Sequence, residues 1–162
     1  MGTRRLVYDI LPLSITEQTA EDGALCQLAI VGANHLMEVG LAKLLRSFAG
    51  KHPAFTNRKY EEASYWLSLS HWVEEVTGLP LFLNEEPFLS TERLRMRRNA
   101  TTHKSSALAT VLMARSALFS AVEGTKALHA HFGVPFPYEP FIEKYPMPCE
   151  QPFSSVPFPP GT

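Results

Sequence analysis

The sequence predicts an all-α fold, an up-down bundle of about four helices followed by an extended strap rich in proline and aromatic residues. Three observations carry this reading. Apolar residues recur at three- and four-residue spacing through long stretches without proline. Strand character is confined to Leu6-Val7-Tyr8. Nine of the 13 prolines fall after residue 132, in a region where regular helix and central strand are both disfavoured.

Length and composition bound the rest. A chain of 162 residues holds one domain, and a 45% hydrophobic share excludes full disorder. The 15 Lys+Arg against 16 Asp+Glu give a formal charge of -1, so binding of nucleic acid must come from a local patch. Cys26 and Cys149 match no metal or redox spacing, and no disulfide framework is expected. No apolar run of signal-peptide length follows Met1, and Asn34, His35, Glu38 and Lys43 interrupt the longest apolar windows. The expectation is a cytoplasmic protein with no membrane partner.

Residues 1–15 read as an N-terminal arm, 16–132 as the helical bundle and 133–162 as the strap. The first helix begins near Ser14 or Thr19, each with a carboxylate three residues on (Glu17, Asp22). Leu25, Leu28, Ala29, Gly32, Leu36, Val39, Leu45 and Phe48 follow its spacing, and Gly50 with Pro53 stops it. A second helix is predicted over 57–77, with Ala63, Trp66, Leu69, Val73 and Val76 as its buried stripe and Gly78 as its end. A third starts at Ser90 or Thr91. Thr101 and Thr102 are poor mid-helix residues, which predicts a bend or loop near 99–103. The last helix is predicted from His103 to Phe132, with Leu108, Val111, Leu112, Leu118, Phe119 and Val122 lining it and Gly133 stopping it. Beyond it, six aromatic side chains are costly to leave in water, so the strap is expected to lie on the bundle or on a partner.

One segment concentrates charge. Between Arg93 and Lys104 stand four arginines, a lysine and a histidine, with Glu92 just outside. Arginine grips phosphate with a planar fork, and histidine exchanges protons near neutral pH. Metal-free RNA cleavage needs both: a proton shuttle for the 2′-hydroxyl or the leaving oxygen, and positive charge on the phosphoryl oxygens. The competing reading is a solvated helix face. A second Arg–His pair, Arg46 and His52, spans the expected helix end at Gly50, and its arginine is followed by Ser47 rather than by an amide, a carboxylate or an imidazole.

Arg98-Asn99-Ala100-Thr101-Thr102-His103 resembles the signature of the HEPN domain family: Arg, a polar residue, a short spacer, then His. The early helix around Glu38 and Leu44-Leu45 is similar to that family's first helix, and the likeness covers residues 15–132 as a pattern of helices. The resemblance implies a homodimer with two Arg–His motifs facing each other, near the start of the final long helix. It implies a metal-independent endoribonuclease of a toxin–antitoxin, defence or RNA-processing system, with RNA as substrate and an antitoxin or other protein as further partner. In that reading His103 is the general acid/base, Arg98 holds the scissile phosphate and Asn99 orients the pair. Some members carry a Tyr two residues after the His; Ser105 stands there in this chain. Other members are non-catalytic modules that bind RNA or protein, which is the alternative. Arg93, Arg95, Arg97 and Lys104 are assigned, from charge, as secondary phosphate contacts. Glu38 and His35, three apart on one helix, are supporting residues, with a polar pair in the interior or at a dimer seam preferred over a metal site. No metal and no cofactor are expected.

Overall fold

The computed structural model describes residues 20–52, 56–103, 108–147 and 149–159. The expected arm, the caps at Ser14 and Thr19, and Lys104 lie outside them. The described residues form helices and turns, with no strand among them.

Helix α1 spans Ala20–Gly50. Its buried side is Cys26, Ile30, Ala33, Met37, Leu41 and Leu44, the i, i+3, i+4, i+7 stripe of a core helix. That stripe is rotated from the expected one, and Leu28 is exposed. A helix apolar on most sides offers several such stripes, and packing selects among them. The stretch Gly23–Gly50 is long and apolar enough to cross a membrane; it packs chiefly along α4.

The chain then returns along α1 through a 3-10 helix, Lys59–Glu62, whose Tyr60 is buried. The second helix, α2, follows as Tyr65–Leu67, a π-helical stretch Ser68–Trp72 and Val73–Thr77. It starts later than expected because Ala63 is extended and Ser64 caps Leu67 N–H from its hydroxyl. The π-helical turn shifts the helical phase, so Leu69, Trp72 and Val73 are buried while Trp66 is exposed. Gly78, at φ +75°, ends α2.

Helix α3 is Phe88–His103 and α4 is Val111–His131. The expected break at 99–103 is absent: Thr102 bonds back to the Arg98 carbonyl at 2.8 Å and the helix runs on to His103. The last long helix starts instead at Val111, where the Thr110 hydroxyl accepts Met113 N–H at 3.1 Å. Leu108 therefore precedes it and is exposed.

Helix α4 is the centre of the molecule, buried along Met113, Ala117, Ala121, Gly124 and Leu128. Residues 26–37 of α1 share a core cluster with 109–122, and 41–49 share one with Leu128 and Phe132. The two helices therefore run in the same sense. Phe88 and Leu94 fall in these clusters in the opposite order, so α3 runs against them. Tyr65 packs where the clusters meet and Thr77 reaches His131 at the far end, so α2 runs with α1. The expected up-down alternation is not found among the described residues, because the chain runs back along α1 over 56–64 before α2 begins.

After Gly133 a short helix α5, Glu139–Lys144, interrupts the segment expected to be wholly extended. Pro140 lies in its first turn, where a missing N–H costs nothing. Residues 149–159 lie on the chain's own helices. Phe153 and Val156 are fully buried with α3 and α4 residues, and the Phe153 and Ser154 N–H groups donate to Ser120 and Ser90 Oγ at 2.9 and 3.0 Å.

Candidate functional site

The site is built where α1 crosses the C-terminal half of α3. Asn34 is wholly buried on α1 and donates from Nδ2 to Glu38 Oε1 at 3.0 Å, one helical turn on. From α3, Arg98 Nη2 lies 3.4 Å from both oxygens of Glu38. Arg98 Nη1 donates to Asn99 Oδ1 at 2.9 Å. Glu38 and Asn99 thus fix the guanidinium, Asn34 steadies Glu38, and about a third of the Arg98 side chain stays exposed. Asn34 Oδ1 is buried with no hydrogen-bond partner among the described residues.

His103 is exposed at the end of α3. On a regular helix a five-residue step turns about 140° and climbs about 7.5 Å. Arg98 and His103 of one chain therefore project from different faces, and among the described residues nothing joins them. His103 shares its side of α3 with Leu89 and Met96, at seven-residue steps; Met96 is 61% exposed. The motif closes α3 rather than opening the final long helix.

The remaining assigned cations have other partners. Arg97 is buried, donates to the Leu108 carbonyl and stacks 4.7 Å from the Phe158 ring centroid. Burial lowers its guanidinium from the ordinary value, and among the described residues no carboxylate pairs with it. Arg93 donates to the Ser154 and Val156 carbonyls and lies 4.3 Å from the same ring. Both hold residues 149–159 against α3, which corrects their assignment as phosphate contacts. The charge run is therefore not one solvated face. Arg95 pairs with Glu92 at 2.6 Å, and that bond raises it above the ordinary value. Glu38 lies against Arg98, whereas His35 is exposed and apart from it. His52 of the second Arg–His pair stacks on Phe48, centroids 4.5 Å apart.

Sequence reasoning missed Asn34, although its i, i+4 relation to Glu38 was readable. It also missed a cleft on the other side of Glu38, between α1 and the 3-10 helix. Glu38, Leu41, Arg46, Tyr60 and Glu61 line its volume of about 310 Å³. Tyr65 also borders it, and burial raises that phenol well above its ordinary value. Among the described residues no three His, Cys, Asp or Glu side chains converge as metal ligands would.

No family model matches the chain, and no curated protein or solved structure is significantly similar to it.

Proposed function

We propose that the protein is a HEPN-like, metal-independent endoribonuclease that cuts RNA at a site shared by two copies of the chain. The observation that carries the reading is the Arg98 guanidinium, held by Glu38 and Asn99 yet partly open to solvent, in the same two helical turns as an exposed His103. A phosphate arriving at Arg98 meets a planar donor already aimed. An imidazole supplies or removes the proton at the 2′-hydroxyl or the leaving oxygen.

The divergence of Arg98 and His103 in one chain supports a composite site, in which the imidazole serving one guanidinium comes from a partner. The apolar side chains of Leu89 and Met96 on the His103 side of α3 give such a partner something to bury. In this reading the chain is a homodimer, and a toxin, defence or RNA-processing role follows from the activity.

The test is cleavage of single-stranded RNA by the purified protein in excess chelator. Cleavage is expected to persist there and to fall by at least a hundredfold in Arg98→Ala and in His103→Ala. Mixing the two variants is expected to restore part of it, since mixed dimers rebuild one site. Cleavage that is absent in all RNA contexts overturns the reading.

The same divergence favours the second reading, a non-catalytic HEPN-like module binding RNA or protein. RNA binding that needs Arg98, from a protein that never cuts, would select it.

A further inference from the structure

We propose that the cleft beside Glu38 takes an unpaired guanine base of RNA. The inference takes its setting from the ribonuclease reading, because the cleft adjoins the Arg98–Glu38 pair. Its volume of about 310 Å³ is that of a small-ligand site. Leu41 and Leu45 give it apolar wall, and Glu38, Arg46 and Glu61 give it polar groups. A second hollow of about 360 Å³, also bordered by Arg46, Tyr60 and Glu61, continues past Arg58 to Gly50.

The polar groups define which base fits. Glu61 receives both Arg58 contacts on Oε1, at 3.2 and 2.6 Å. Its Oε2 has no hydrogen-bond partner among the described residues. The bond from Arg58 keeps the carboxyl below its ordinary value, with Arg46 adding to this, so Glu61 is an acceptor at neutral pH. Guanine presents N1–H and the N2 amino group as adjacent donors, which converge on the one free oxygen, Glu61 Oε2. Adenine and cytosine place an acceptor nitrogen beside their amino group, and a carboxylate repels it. Uracil offers one N–H between two carbonyl oxygens. The base edge must be unpaired to be read in this way, as it is in single-stranded RNA. Arg46, exposed at the rim, meets the phosphate of the same nucleotide.

The test is calorimetric titration of the full chain with GMP, AMP, CMP and UMP. A second arm uses five-residue 2′-O-methyl oligonucleotides carrying a central G or a central A, which have no nucleophile and cannot be cut. The G oligonucleotide is expected to bind about tenfold tighter than the A oligonucleotide, and tighter than GMP. Glu61→Gln is expected to abolish the preference, and Arg46→Ala to weaken all ligands alike. Both residues are exposed, and circular dichroism checks that the variants stay folded. No binding, equal binding of G and A, or a preference that survives Glu61→Gln overturns the proposal. GMP binding as tightly as the G oligonucleotide overturns its RNA half and assigns the cleft to a free guanine nucleotide. Because none of these ligands is cleaved, guanine binding without nuclease activity would refute only the ribonuclease reading. Cleavage without any guanine preference would refute only this one.

Discussion

Arg98 on α3 reaches Glu38 on α1 with one terminal nitrogen 3.4 Å from each carboxylate oxygen. The two residues are sixty positions apart in the chain, so the helix crossing makes the pair. A pair about a third exposed adds less than about 1 kcal/mol to stability; what it fixes is the direction of the guanidinium.

Glu38→Gln removes the charge and keeps the shape. In the proposed ribonuclease it is expected to lower kcat for RNA cleavage about tenfold, with KM changed far less and the melting temperature nearly unchanged. Steady-state kinetics on a fluorogenic RNA, beside a thermal melt, reads all three. An equal loss in KM and kcat would assign Glu38 to substrate binding instead.

Arg97→Ala is expected to act on the fold and not on RNA. The side chain packs on Phe158 and bonds the Leu108 carbonyl, so its loss should lower stability by about 2 kcal/mol in urea. Filter binding across a salt series should show an unchanged slope, because no phosphate contact is removed. A flatter slope would restore Arg97 to the RNA surface.

Gly124→Ala tests the packing of α4 against α3. A Cβ there would stand 2.5 Å from Thr91 Cγ2, on a helix buried on most sides. The expected overpacking cost of about 1–3 kcal/mol outweighs the roughly 1 kcal/mol gained in helix propensity. Thr91→Ser removes that methyl and keeps the hydroxyl that bonds the Phe88 carbonyl at 2.9 Å. The double variant should therefore be more stable than Gly124→Ala, as denaturant midpoints will show.

Phe153→Ala is expected to cost about 3–5 kcal/mol. The ring is fully buried, and the Arg93 bonds to Ser154 and Val156 depend on its position. Limited proteolysis should then cut within 149–159 first; resistance equal to the parent would mean that the arginines suffice.

Helix content was legible in this sequence because turn residues punctuate it clearly: Gly50, Gly78 and Gly133 each stand at or just past a helix end. Rotational phase was not. Helix α1 carries apolar residues on most sides, and a π-helical turn in α2 moves Trp66 outward in a way no period-3.6 pattern shows. The break expected at Thr101-Thr102 followed propensity, which tertiary packing and the Thr102 back-bond override. The site was half legible. Arg98, Asn99 and Glu38 come together, but Arg93 is taken by backbone carbonyls some sixty residues away, Arg97 by the Leu108 carbonyl, and both by the Phe158 ring, a demand that local charge counting does not see.

The placement of Phe153 has a consequence for synthesis. The pocket it fills is walled by residues of the three long helices, α1, α3 and α4, yet its plug is among the last described residues to be translated. While a ribosome still holds that stretch in its exit tunnel, the helices already outside share an unsealed apolar hollow. Final consolidation must wait for the emerging tail, and until then the nascent chain offers chaperones a greasy surface.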